Sequence, residues 1–176
     1  MWMVFLAGCS AAPSAPPLTN GEATYRDAQE GFRFEVPAGW RQHTRAAYPP
    51  GQYPKERTLV KFARLDSSHP AIIRASMMDF APGMDEGAYL AERPGGPEKW
   101  QLAPETKALS VNGLAGKRFT FTGHWEGENL IKEVVALRRG GRVYFFTGIF
   151  PAADNKVREV IRKTVASIAW EAQTKK

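Results

Sequence analysis

Val143-Tyr144-Phe145-Phe146-Thr147-Gly148-Ile149-Phe150 decides how this chain folds. Val, Ile, Phe and Tyr favour extended backbone, and both alternating sets of side chains here are apolar. A strand of that kind belongs in the middle of a sheet covered on both faces. Gly140-Gly141 just before it is a two-residue turn that joins antiparallel strands, so residues 129–138 should return beside it. Residues 116–122, rich in Phe and Thr, extend the meander. After it, Pro151 stops the strand, and Asp154 or Asn155 can cap a helix. Val157, Val160, Ile161, Val165 and Ile168 recur there at helical spacing, with Lys156, Glu159 and Lys163 opposite. An amphipathic C-terminal helix is therefore expected to pack on the sheet.

Upstream, Phe32, Phe34 and Val36 alternate with Arg33 and Glu35, the pattern of a half-buried strand, until Pro37-Ala38-Gly39 breaks it before Trp40. Residues 46–55 hold three Pro and one Gly and read as loop, with Tyr48 and Tyr53 at its surface. Residues 58–65 and 71–80 read as a hairpin around the Asp66-Ser67-Ser68-His69-Pro70 turn. Asp85 can cap a short helix running to Glu92, and Pro94-Gly95-Gly96-Pro97 opens a loop extending to residue 106.

The chain has 176 residues, of which 43% are hydrophobic and 24% charged. That is enough apolar surface for one folded domain, and it excludes a wholly disordered chain. No apolar run approaches the roughly 18 residues of a membrane-spanning helix. The net charge is +6, and residues 117–176 carry all of the excess, with 12 basic and 6 acidic side chains. Because these basic residues interleave with strand and helix core positions, they read as a solvated face. No Lys- or Arg-rich run, zinc-finger spacing or stacking motif accompanies them, so nucleic acid is not an expected partner.

Near the start, Leu6-Ala7-Gly8-Cys9 resembles the lipobox at which bacterial lipoprotein precursors are lipidated and cleaved. Cys9 is the single cysteine, so it cannot belong to an intramolecular disulfide. The small, Pro-rich run from Ser10 to Pro17 suits a tether. Only about six apolar residues, Trp2 to Ala7, precede Gly8-Cys9, and no basic residue lies before them, so residues 1–8 read as the truncated end of a signal peptide. The expected organisation is then a lipidated Cys9 with tether over 9–24, one domain over 25–170, and a tail over 171–176. Ser10 after the cysteine favours the outer membrane if the enteric sorting rule applies.

Residues 31–40, 111–118 and 143–168 together resemble the PsbP-like family, whose fold is shared by a photosystem subunit and a Ran-binding nuclear-import factor. Gly31-Phe32-Arg33-Phe34-Glu35-Val36-Pro37-Ala38-Gly39-Trp40 is similar to its opening strand. Val111-Asn112-Gly113-Leu114-Ala115-Gly116-Lys117-Arg118 is similar to the turn into its meander, and residues 143–168 to its closing strand and helix. The resemblance covers about residues 24–170. It implies an α+β fold, an α/β/α sandwich around a central antiparallel sheet, and a non-catalytic binding or assembly role, although fold alone does not supply a partner.

His43, His69 and His124 are far apart and lack neighbouring ligands, so neither metal nor cofactor is expected. Ser67, Ser68 and His69 carry hydroxyl and imidazole, but adjacency in a turn does not make a nucleophile–base pair. His124 and Glu126 could share a strand face, although a sheet-edge hydrogen bond suits them better. Arg138, Arg139 and Arg142 gather around the Gly140-Gly141 turn as a possible contact with anionic headgroups. Trp40, Trp100, Trp125 and Trp170 are candidates for sugar stacking, against ordinary core packing. The resulting expectation is a monomeric, lipid-anchored, non-catalytic factor of the bacterial cell envelope with a protein partner there. An intracellular adaptor of the same fold, and an envelope hydrolase, are the alternatives.

Overall fold

A computed structural model describes residues 24–43, 56–64, 71–79, 82–92, 100–104 and 106–171. Cys9, Tyr48, Tyr53, Ser67, Ser68, His69 and the run from Pro94 to Pro97 lie outside these residues. The described chain forms β1 (Thr24–Asp27), β2 (Phe32–Glu35), β3 (Arg41–Gln42), β4 (Arg57–Arg64), β5 (Ala71–Asp79), α1 (Glu86–Ala91), β6 (Gln101–Leu102), β7 (Lys107–Val111), β8 (Leu114–Trp125), β9 (Glu128–Arg139), β10 (Arg142–Pro151), α2 (Asn155–Ala166) and β11 (Ala169–Trp170). It is an α+β fold whose main sheet is antiparallel, in the order β3-β4-β5-β10-β9-β8-β6, with β7 also paired to β8.

Local chemistry sets the connections. Asn112-Gly113 and Gly140-Gly141 take positive φ at both positions, 47° and 83° in the first and 57° and 75° in the second. Two such residues in succession turn antiparallel strands back with matched twist, and each pair closes a hairpin. The Asp85 carboxylate accepts from the Gly87 and Ala88 amides at the start of α1, and Asp154 accepts from the Val157 amide at the start of α2. These caps satisfy donors that a helix start leaves open.

Strand β10 is buried on both faces, as its composition requires. Tyr144, Phe146 and Phe150 pack with Phe62, Val157, Ile161 and Val165 on one side, while Val143 and Phe145 join Leu90, Trp100, Phe119 and Phe121 on the other. The architecture departs from a single central sheet at β2. Phe32 and Phe34 belong to a separate three-stranded sheet, β1-β2-β11, laid against the α2 side of the main sheet. The physical reason is aromatic packing: Phe32 meets Phe146 edge-on with ring centres 5.6 Å apart, and Phe34 meets Phe62 at 5.9 Å. Arg33 and Glu35, on the other side of the same strand, stay exposed.

Other boundaries also move. Residues 101–102, read as loop, pair with Thr122 and Phe121, and the buried Trp100 next to them anchors that edge. Helix α2 ends at Ala166, yet Ile168 beyond it is fully buried. Glu171, read as the first residue of a tail, is tied in: its amide donates to the Gly31 carbonyl and Arg26 reaches its carboxylate at 2.6 Å.

Three buried carboxylates show what much of the basic C-terminal third does. Glu30 receives Arg57, Arg142 at 2.9 Å and the Tyr144 hydroxyl at 2.9 Å. Glu86 lies 2.7 Å from Arg138 and 3.6 Å from Lys117. Glu133 is held by Arg158 and Arg162, both at 2.7 Å. These basic side chains join strands and helices that sequence distance conceals, rather than forming a purely solvated face. Burial pushes the Glu133 carboxyl up, but hydrogen bonds and charge from Arg162 and Arg158 outweigh it, so the group lies below its ordinary value of 4.5. A depressed carboxyl contributes stability above its unfolded pKa and loses that contribution as pH falls through the folded one. Glu133→Gln should therefore lower stability at pH 7 by about 1–2 kcal/mol, below the roughly 3–5 kcal/mol of fully buried pairs. The arginines retain 30% and 40% side-chain exposure, which screens them. Urea unfolding at pH 7 and pH 3 should show the gap between variant and wild type narrowing in acid.

Candidate functional site

Strands β8 and β9 project as a hairpin whose turn, Glu126-Gly127, again has two positive φ angles, 49° and 83°. This turn holds Trp125 at the hairpin tip, where it is 45% exposed. Beside it lies an open cleft of about 790 Å³ lined by Gln101, Thr122, His124, Trp125, Glu126 and Asn129, among others. Side chains alternate along β8, but Glu126 has left the strand, so His124 and Glu126 do not share a strand face. His124 instead pairs across to Asn129, with its Nδ1 3.0 Å from Oδ1. The cleft thus combines an aromatic face with amide, carboxylate and imidazole groups. That suits binding by stacking and hydrogen bonding.

The other tryptophans have different fates. Trp40 and Trp100 are buried, and Trp170 packs against Phe32 and Tyr144, with ring centres 5.2 and 4.7 Å away. Among the described residues, Trp125 and Leu102 are the large hydrophobic side chains left exposed. Sequence reasoning named Trp125 only as one of four, and it missed Gln101 and Asn129. The usable signal was its place beside a two-residue turn, since a strand end at a hairpin tip has fewer neighbours to cover it.

Two of the three hairpin arginines stay side by side: Arg139 and Arg142 are direct cross-strand partners on the α2 side, and Arg138 faces the other way. Strand alternation sends Arg138 to the α1 side, where it binds Glu86. Arg142 goes to the α2 side and binds Glu30, and burial of the Tyr144 hydroxyl with its hydrogen bond to Glu30 raises the Tyr144 pKa. Arg139 stacks over Trp170 at 4.7 Å and donates to the Glu171 carbonyl at 2.9 Å. Each therefore fastens the hairpin to the domain, while Arg138 and Arg142 keep 46% and 44% side-chain exposure.

A buried lysine went unforeseen as well. Lys132 Nζ donates to the Leu90 carbonyl at 2.7 Å and lies 4.4 Å from the Phe121 ring centre and 4.6 Å from that of Trp100. It satisfies a carbonyl near the end of α1 while its charge faces two aromatic rings. His43 is exposed at the end of β3, and its amide donates to the Lys61 carbonyl. No cluster of His, Cys, Asp or Glu suited to a metal ion occurs among the described residues. None of their helices is long and apolar enough to cross a membrane.

The architecture is PsbP-like. The solution structure of cyanobacterial PsbP (CyanoP) from Synechocystis sp. PCC 6803 matches with a TM-score of 0.60 and 14% identity, over 94% of this chain and 99% of that one. A protein from Bacteroides thetaiotaomicron matches at 0.56 and 10% identity over 88% of this chain, which spans half of that protein. LpqN, involved in cell envelope biogenesis of Mycobacterium tuberculosis, matches at 0.50 and 12% identity, over 88% and 90% of the two chains. No protein-family model and no curated protein matches this sequence. At these identities the likeness is one of fold.

Proposed function

We propose that this protein is a non-catalytic binding factor of the bacterial cell envelope, anchored through acyl chains on Cys9, that presents the β8–β9 cleft to a protein partner. The observation that carries the binding role is Trp125, an exposed indole at the mouth of a concave polar surface. Exposed aromatic side chains beside polar groups are favoured anchors in protein interfaces. Anchoring rests on Leu6-Ala7-Gly8-Cys9 and the Pro-rich run after it. The envelope assignment draws support from the fold shared with LpqN, and Ser10 favours the outer membrane under the enteric rule. Attachment in this reading comes from the lipid rather than from Arg138, Arg139 and Arg142, each of which already has a partner. The factor acts as a monomer.

Mass spectrometry of the N-terminal peptide from membrane fractions, after expression from the native locus, tests the anchor. Diacyl or triacyl Cys9 is expected, and an intact Met1 with free Cys9 in the soluble fraction overturns it. A photocrosslinker at Glu126 tests the cleft. One envelope protein should be captured, with Trp125→Ala reducing capture about tenfold, the loss of a modest hot spot. Unchanged capture by Trp125→Ala, with folding intact by circular dichroism, removes the cleft from the proposal.

A further inference from the structure

Across the α1 side of the main sheet, Lys61 of β4, Arg74 of β5 and Thr147 of β10 are successive partners in register. Directly opposed residues hold their Cβ atoms about 4.5–5.5 Å apart on one face. Thr147 is 1% exposed, and its Oγ1 lacks a hydrogen-bond partner. Arg74 keeps partial access to solvent. Among the described residues no carboxylate is hydrogen-bonded or ion-paired to its guanidinium; the titratable group acting on it is the Tyr89 hydroxyl, which in turn donates to the buried Glu56 carboxylate. Burial pushes the guanidinium below its ordinary value. The apolar cluster on this side draws on β5, β8, β9 and β10 but includes no residue of β4, so this end of the face is the polar one.

The contrast with the rest of the molecule is informative. Glu30, Glu86 and Glu133 are each buried and each held by two cations. Among the described residues Arg74 has no carboxylate bound to it directly; the buried Glu56 carboxylate reaches it only through the Tyr89 hydroxyl, which donates to Glu56. Desolvating a charge even in part without a directly bound counter-charge is costly, and a water molecule would satisfy the Thr147 hydroxyl without neutralising the guanidinium. An anion would do both. We propose that Arg74 and Thr147 form an anion-binding site that takes an oxyanion group, carboxylate or phosphate, of a small ligand. The guanidinium presents two parallel donors to two oxygens of such a group, and the Thr147 hydroxyl donates to it as well. This site is separate from the β8–β9 cleft and does not depend on the binding role given to that cleft.

The test uses the full chain in chloride buffer at constant ionic strength, titrated with inorganic phosphate and, separately, with acetate. A saturable rise in Tm of a few degrees is expected with at least one of them, as for any ligand that binds only the folded state. The better anion distinguishes phosphate from carboxylate ligands. Arg74→Met should abolish the rise and, without added anion, melt at or above the wild-type temperature, because it removes a charge with no directly bound counter-charge. A purely structural arginine would instead melt lower when replaced. Thr147→Val should weaken the titration about tenfold. If Arg74→Met does not fold, the Arg74 Nε–Hε resonance of the wild type decides: saturable movement with anion supports the site. The absence of a saturable response to either anion, or a response retained in Arg74→Met, overturns it.

Discussion

Gly148→Val is expected to destabilise the domain by about 3 kcal/mol or more, at or beyond the upper end of the usual range for overpacked cores. Gly148 lies between Phe146 and Phe150 on the α2 side of β10, and there Ile161 of α2 occupies the space that a side chain would fill. A Cβ built at this position lies 2.5 Å from Ile161 Cγ2 and 3.1 Å from Cδ1. Ile is β-branched and almost confined to one rotamer in a helix, so it cannot swing away cheaply. Either the helix lifts or the strand shifts. Replacing Gly by Ala in an open strand position would instead gain about 0.5–1 kcal/mol, so even Gly148→Ala has a diagnostic sign: a loss is expected here. Urea unfolding of Gly148→Ala, Ile161→Ala and the double variant should show coupling, with Ile161→Ala costing less in the Gly148→Ala background. Additive losses would mean that the close approach is not what fixes the helix on the sheet.

This contact also shows what could be read from the sequence and what could not. The alternation in residues 143–150 marks a strand covered on both faces, and Gly140-Gly141 marks the hairpin before it. Asp85 and Asp154 mark helix starts through the chemistry of their own side chains, and the structure places both caps there. Local chemistry suffices for such features. Strands β3, β6 and β11 have two residues each, too few for any periodicity, and exist because a long neighbour offers a ladder. The separate β1-β2-β11 sheet is invisible for a similar reason: alternation in Phe32 and Phe34 announces one buried face but not which surface buries it.

The charged residues divide in the same way. Arg142 and Glu30 are 112 positions apart, and Arg138 and Glu86 are 52 apart, so a charge count across the C-terminal third could not reveal their pairing. Nothing in the sequence marks Arg74, which stands between Ile73 and Ala75. Only the register with Thr147 and the charge without a directly bound carboxylate give it meaning. At the cleft, His124, Trp125 and Glu126 were legible as polar and aromatic residues. Their arrangement depends on the Glu126-Gly127 turn and on Gln101, which approaches from a different segment.

Cys9→Ser should move the protein from the membrane fraction to the soluble fraction completely, if Cys9 carries the anchor proposed above. Each buried acyl methylene contributes about 0.8 kcal/mol, and one myristoyl-length chain alone binds only marginally. Several chains on one residue therefore make attachment nearly all-or-none with respect to that residue, and serine cannot accept them through a thioether. The same substitution should leave Tm unchanged within about 1 °C. A lone cysteine closes no loop, and the stabilising contacts described here begin at β1. Expression from the native locus and fractionation after a high-salt wash separate this mechanism from charge. Attachment through Arg138, Arg139 and Arg142 would survive Cys9→Ser at low salt and disappear at high salt, whereas attachment through acyl chains would resist salt and disappear in Cys9→Ser at any ionic strength. Persistence of Cys9→Ser in the washed membrane pellet would remove lipidation from the account and leave the fold with its two binding surfaces to be explained another way.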